Sequence, residues 1–172
     1  MLIGSAAILS SASSFADSGT ANIHFKGTVA NVSCTVQVNN TSGDVSLDMG
    51  TIDVSKVAVG NASEPYPFEI ELNGCPSSMT NAAITFVGNP SSDNKYFAIG
   101  GTDDSLGLAI SNTGGQSSSA IAVLPNQQDT TGMIKEGNYG FKGSYAAQLI
   151  KLKDGVPDTS FDVSTSINIA YM

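Results

Sequence analysis

The chain of 172 residues carries a formal net charge of −8, and all seven of its basic residues are lysines that lie singly along the sequence. Without a basic patch to neutralise phosphates, the sequence argues against a nucleic-acid-binding protein and against one that docks on anionic membranes. The length suits one domain with a hydrophobic core, and we find no linker or internal repeat that would divide it.

The first 16 residues form a short apolar run rich in alanine and serine that ends in Ser14-Phe15-Ala16. The small residues Ser14 and Ala16 occupy the two positions that signal peptidase recognises, so we predict a secretory signal over 1–16 with cleavage after Ala16. No lysine precedes Lys26, so we expect the true signal to begin further upstream. The alternative is a disordered or membrane-anchoring N-terminus, although the run is too short and too rich in serine to span a bilayer.

Residues 17–30 alternate strictly between apolar and polar side chains, which predicts a β-strand with one apolar face. The small or apolar positions are Ala21, Ile23, Phe25, Gly27 and Val29. Such a strand needs a groove in which to bury that face. The groove belongs either to its own domain, where the segment would be an ordinary first strand, or to another molecule, and the pattern alone favours neither.

The rest of the chain continues with short apolar alternations at period two, and we predict no helix. Clusters of Gly, Asn, Asp, Ser and Pro separate these alternations and indicate turns. A change of face near Ala30-Asn31 marks a bulge or a break. We predict strands around 28–38, 45–49, 67–73, 82–87, 96–99, 106–111, 120–123, 139–152 and 161–171.

The faces of these strands predict the layers of the fold. In 67–73 we expect Phe68, Ile70 and Leu72 to face the core and Glu69 and Glu71 to face solvent. Seven to nine short strands between turns indicate an all-β domain, an immunoglobulin-like antiparallel sandwich. The last alternation, 161–171, has no strand after it, so one edge of a sheet is expected to be open.

The two cysteines, Cys34 and Cys75, predict one disulfide in an exported chain. It would close a loop of about 40 residues and stabilise the fold by roughly 4 kcal/mol on chain-entropy grounds. The alternative is two buried free thiols. A metal site is not expected, because two cysteines and one histidine without ligand spacing do not form a ligand set.

The sequence predicts neither an enzyme nor a cofactor-binding protein. A hydrolase triad needs a base, and the only histidine, His24, lies on the polar side of the N-terminal strand. No nucleophile elbow and no phosphate-binding loop is present. Asp103-Asp104 and 154–158 lack the acidic spacing of a calcium loop, so surface turns are the preferred interpretation.

Four segments resemble one known family. Residues 23–29 (IHFKGTV) ahead of Cys34 are similar to the N-terminal extension of chaperone–usher pilins, especially type 1 fimbrial major subunits. Residues 72–75 (LNGC) are similar to the family's second cysteine segment, and 141–146 to its late core strand. Tyr171, next to the last residue of this sequence, matches the family's terminal signature. One position departs from the pattern: Thr159 stands where the family often has glycine.

The resemblance implies an incomplete immunoglobulin-like sandwich that lacks its seventh strand. It implies that a periplasmic chaperone first lends a strand to the subunit, and that an outer-membrane usher then exchanges that strand for the N-terminal extension of the next subunit. The implied donor residues are Ala21, Ile23, Phe25, Gly27 and Val29, with Gly27 at a close approach of backbones. The implied residues of the acceptor side and of chaperone recognition are Ile167, Ile169 and Tyr171.

We therefore expect a signal peptide over 1–16, a donor-strand extension over 17–30 and a pilin domain over 31–172. The expected function is that of a structural subunit of an adhesive, cell-surface fimbrium reached through the periplasm. Its partners would be other pilin subunits, the chaperone and the usher. The alternative is a binding module, either a minor adaptor or a small adhesin for a sugar or host protein, and a secreted β-sandwich enzyme is the third possibility.

Overall fold

The computed structural model describes residues 34–100, 102, 104–114, 119–158 and 160–172. The predicted signal peptide and donor-strand extension, together with His24 and the five expected donor residues, lie outside this part of the chain.

The described residues form eleven β-strands and one turn of 3-10 helix, Val54–Lys56. The strands are β1 (Thr35–Val38), β2 (Thr41–Ser42), β3 (Tyr66–Asn73), β4 (Ala82–Val87), β5 (Phe97–Ala98), β6 (Leu106–Asn112), β7 (Ile121–Val123), β8 (Gln128–Asp129), β9 (Ile134–Glu136), β10 (Gly140–Lys151) and β11 (Ser166–Tyr171). This all-β composition confirms the predicted fold class.

The strands pair antiparallel in two sheets. The larger sheet has the order β2-β1-β3-β10-β6-β5, with β7 paired to β6 and β9 paired to β10. The smaller sheet has the order β11-β4-β8. Since β10 pairs with β3 and β6 along twelve residues, it is the central strand of the larger sheet.

Three aromatic rings join the two sheets. The ring centroid of Phe86 on β4 lies 6.3 Å from that of Phe68 on β3 and 5.3 Å from that of Tyr145 on β10. Phe68 and Tyr145 stack at 5.8 Å. All three side chains are buried, and aromatic pairs in these geometries add to the free energy gained from burial alone. The cluster therefore places β4 over β3 and β10.

The contacts of β8 determine which way the smaller sheet runs across the larger one. Asp129 on β8 accepts hydrogen bonds from Asn112 on β6, at 3.4 Å, and from the hydroxyl of Tyr145 on β10, at 3.5 Å. β8 therefore lies over the β10–β6 side. Because β4 separates β8 from β11, β11 lies on the opposite side, where the larger sheet ends in β1 and β2.

Most predicted strands are confirmed within a few residues, and the predicted faces of β3 are confirmed: Phe68, Ile70 and Leu72 are buried. Of the strand predicted over 28–38 the structure describes only 34–38, of which 35–38 is β1, and the predicted break near Ala30-Asn31 lies outside the described residues. Two other predicted strands differ. Residues 45–49 form no strand, although Leu47 and Met49 still pack against the core. The short strands β2, β8 and β9 were not predicted, because two or three residues are too few for an alternation to show.

The last strand is also shorter than the strand predicted over 161–171 from alternating apolar side chains, since β11 begins at Ser166. Its partner β4 ends at Val87, opposite Ser166. The chain then turns away, so that Pro90 bridges Phe97 and Ala98 donates its amide to the Asn89 carbonyl. Residues 161–165 have therefore lost the strand with which they would pair.

Candidate functional site

The site implied by the sequence begins at β11. Ile167, Ile169 and Tyr171 face the core and pack against the main cluster, yet all three are only half-buried. Their partners on β4, by contrast, are buried: Ile169 lies opposite Ile84, which has no exposed surface. The inward face of β11 is therefore apolar surface that the described residues cover incompletely.

The backbone of β11 has a defined polarity. Asn81 and Met172 exchange both of their main-chain hydrogen bonds, each at 2.9 Å, just beyond the last strand pair. Hydrogen-bonded and non-hydrogen-bonded pairs alternate along antiparallel strands. The pairs that contain Ile167, Ile169 and Tyr171 are therefore non-hydrogen-bonded, and the N–H and C=O groups of these residues point away from β4.

A second contact supports this assignment. Phe86 lies opposite Ile167, and its carbonyl accepts a bond at 2.9 Å from the amide of Asn126, which lies outside the β11–β4 pair. The Phe86 carbonyl therefore points away from β11, as expected for a non-hydrogen-bonded pair. The residues whose side chains face the core are thus the same residues whose backbone groups face outward.

No described strand pairs with that outward edge of β11, because β11 is hydrogen-bonded to β4 alone within this part of the chain. We call the outward backbone groups and the half-buried side chains of Ile167, Ile169 and Tyr171 the acceptor edge. Such an edge is a template for another strand, which would satisfy its backbone groups and cover its apolar side chains.

Residues 45–49, which follow β2, show a similar alternation of burial. The side chains of Val45, Leu47 and Met49 are half-buried, and the residues between them are exposed. The segment follows β2, the outer strand of the larger sheet, and no described strand hydrogen-bonds to it. The alternation predicted for 45–49 is therefore present, and only the ladder is missing.

The predicted disulfide is formed. Cys34 and Cys75 are bonded with their Cα atoms 4.6 Å apart and both residues buried. Cys34 immediately precedes β1 and Cys75 lies two residues after β3, so the bond ties together the ends of two strands that already pair. The Cys75 amide also donates to the Tyr139 carbonyl at 2.9 Å, beside the start of β10.

The pKa values of Tyr145 and Lys142 are raised by their surroundings in the fold. Burial raises the pKa of Tyr145, and the nearby Asp129 carboxylate raises this pKa further. On the outer face of the larger sheet, Nζ of Lys142 lies 2.9 Å from Oε2 of Glu69 and 3.4 Å from Oε1 of Glu71. These two carboxylates raise the pKa of Lys142. Surface pairs of this kind contribute little to stability because water screens them.

The described residues offer little for other kinds of site. In the part of the chain that the structure describes, no cluster of three or more His, Cys, Asp and Glu side chains could hold a metal ion, and no helix has the length and apolar character to cross a bilayer. A shallow depression of about 340 Å³ lies beside Glu71, Glu136 and Tyr139, where β3 ends and β10 begins.

Comparison with proteins of known sequence gives fimbrial proteins as relatives of this chain. The chain is 30% identical to fimbrial-like protein FimF of Salmonella typhimurium over 154 residues, which cover 89% of this chain and 85% of that protein. It is 34% identical to fimbrial-like protein SfmA of Escherichia coli over 139 residues, or 77% of this chain and 69% of the relative. No family model matches the chain.

Solved structures share the fold. A subunit in the structure of a chaperone–usher pilus superposes with a TM-score of 0.63 at 18% identity, over 93% of this chain and 100% of that one. The P pilus rod subunit PapA superposes with a TM-score of 0.61, also at 18% identity, over 80% of this chain and 99% of that one. The sequence relatives show that the chain belongs to the family of fimbrial subunits, structural proteins without enzymatic activity whose partners are other pilin subunits.

Proposed function

We propose that this fimbrial subunit polymerises by donor-strand exchange, with the acceptor edge of one copy receiving residues 17–30 of the next. The observation that carries the proposal is the alignment of two features on β11. The backbone groups of Ile167, Ile169 and Tyr171 point outward, and their side chains lie half-buried on the core. An added strand would satisfy the first feature and cover the second.

The sequence of residues 17–30 fits the role of the donor. Its apolar positions, every second residue from Ala21 to Val29, would lie on the core beside β11. A strand of about ten consecutive residues, at about 3.3 Å each, spans roughly 33 Å, which is the length of a sandwich. Gly27 would sit where the pocket is too shallow for a side chain.

An acceptor edge that is open before assembly is an aggregation hazard. We propose that a periplasmic chaperone covers it first by lending a strand along β11, and that an outer-membrane usher then catalyses the exchange. In this scheme residues 1–16 are a signal peptide, 17–30 the donor extension and 31–172 the pilin domain. The subunit is carried through the periplasm into a cell-surface fimbrium that supports adhesion.

Deletion of residues 17–29 tests the proposal. The truncated subunit should accept a donor strand but offer none, so it should cap a growing fibre, whereas the full chain extends it. Fibre length in electron micrographs of mixtures, with the truncated subunit at increasing proportion, measures this. Fibres of unchanged length and containing the truncated subunit throughout would refute the proposal.

A point substitution gives a matched control. Gly27→Leu should block exchange because its side chain would have to enter the shallow pocket. Thr28→Leu adds a side chain of the same size on the opposite face of the strand, where it points to solvent. Equal polymerisation of the two variants would contradict the predicted face of the donor strand.

A further inference from the structure

The end of β11 is held by a segment that lies outside its sheet. The main-chain oxygen of Met172 accepts bonds from the amides of Thr80 and Asn81, both at 2.9 Å, and from the Thr80 hydroxyl at 3.2 Å. The amide of Met172 in turn donates to the Asn81 carbonyl at 2.9 Å. We call residues 76–81, between Cys75 and β4, the clasp. Three donors converge on one oxygen, so Met172, the residue after β11, is fixed more firmly than a ladder pair alone would fix it.

The clasp is itself fastened to the larger sheet. Lys135 on β9 donates from its ammonium group to the Met79 carbonyl at 2.6 Å. The Met79 side chain packs against the core, and its amide closes a turn on the Pro76 carbonyl at 3.1 Å. At the other end of the clasp, the Cys34–Cys75 disulfide joins it to β1. The clasp thus connects the end of β11, in the smaller sheet, to strands of the larger one.

This connection bears on strand addition because the ends of edge strands fray. A frayed residue must be ordered again when another strand pairs with it, and ordering one residue's backbone opposes binding. Tyr171 is the last residue whose N–H and C=O groups point to the acceptor edge, and it lies between the Ala170–Ala83 pair and the clasped Met172. Holding Met172 therefore keeps the outward groups of Tyr171 extended.

We propose that Thr80 and Lys135 are positioning residues, which hold the end of β11 extended and so speed the pairing of an incoming strand. The acceptance of a strand rests on the proposed function, whereas the clasp is a property of the folded subunit. Both side chains are exposed, so substitutions there should leave the core and the global stability unchanged.

The experiment compares Thr80→Val, which removes the hydroxyl and keeps the shape, with Thr80→Ser, which keeps the hydroxyl, in the full chain. Lys135→Met and Lys135→Arg form the second pair. Amide hydrogen exchange by NMR reports on the clasp, with Met172 as the test amide and Asn168, further along the same ladder, as the internal control. Uptake of a fluorescent peptide of residues 17–30, followed by anisotropy, reports on strand acceptance.

We expect exchange at Met172 to be about three-fold to ten-fold faster in Thr80→Val and Lys135→Met, with Asn168 unchanged, as for the loss of one hydrogen bond. Peptide uptake should slow by a similar factor, and the Ser and Arg variants should behave as the wild type. Equal exchange in all variants overturns the clasp. Faster exchange with equal uptake overturns its role in acceptance, and no uptake by the wild type overturns the proposed function while the exchange data still decide the clasp.

Discussion

The assigned polarity of β11 makes a sharp prediction at two adjacent residues. The amide of Ile169 points to the acceptor edge, whereas the amide of Ala170 points to β4. Proline has no N–H and is tolerated in strands only where that group would face away from the sheet. Ile169→Pro should therefore fold and lose one bond to an incoming strand, whereas Ala170→Pro should break the pairing of β11 with β4.

The magnitude follows from the missing bond. In Ile169→Pro a carbonyl of the incoming strand is buried without its donor, which costs about 1 to 3 kcal/mol. This corresponds to binding of the strand weakened from about five-fold to more than a hundred-fold. The loss of the half-buried isoleucine side chain adds a separate packing term, so Ile169→Ala is the reference for this comparison and not the wild type.

The assay has two parts. Thermal unfolding of each variant reports whether the subunit is folded, and titration with the labelled peptide of residues 17–30 gives the dissociation constant. We expect Ile169→Pro and Ile169→Ala to unfold within a few degrees of each other, with the proline variant binding the peptide more weakly. Equal affinities would show that the Ile169 amide makes no bond to the incoming strand, and a stable Ala170→Pro beside an unfolded Ile169→Pro would show that the assigned polarity of β11 is reversed.

Two further predictions concern stability. Burial raises the folded-state pKa of Tyr145 above the unfolded value of 10.0, so the neutral tyrosine contributes fully to stability below pH 10.0 and this contribution is lost as the pH rises. Between about pH 9 and pH 11 the free energy of unfolding of the wild type should therefore fall by about 1.4 kcal/mol more than that of Tyr145→Phe. Urea unfolding at each pH measures this difference. Parallel curves for the two proteins would show that this tyrosine does not ionise on unfolding. Replacing Cys34 and Cys75 by serine opens a loop of 41 residues and should lower the free energy of unfolding by about 4 kcal/mol. Reductant should destabilise wild type and leave the serine variant unchanged, and equal sensitivity of the two would contradict a stabilising disulfide.

Much of the fold could be predicted because strands with one buried face reveal their period in the sequence. Phe68, Ile70 and Leu72 alternate with glutamates, and the structure buries all three. The prediction was wrong at 161–165, where the alternation continues but the partner strand β4 has turned away at Pro90. A pattern of side chains records which face meets the core, whereas a ladder requires a neighbour, and the neighbour is distant in sequence.

The candidate site was predicted in part. The apolar side chains of β11 were visible in the sequence as an alternation that ends at Tyr171. The residues that hold its end, Thr80 and Lys135, had no such signal, because they belong to a loop and to a three-residue strand. Their contacts with Met172 and Met79 span 92 and 56 residues, so only folding brings them together.

The all-β class, the inward face of β3 and the pair of cysteines available for a disulfide could be read from the sequence, because period, turn residues and residue type are local properties. Which strands are neighbours, by contrast, emerges only when the chain folds. By placing β11 at the edge of the smaller sheet and pairing Asn81 with Met172, the tertiary structure turned the backbone groups of Ile167, Ile169 and Tyr171 outward. That direction depends on the register between two strands, which no pattern within either strand contains.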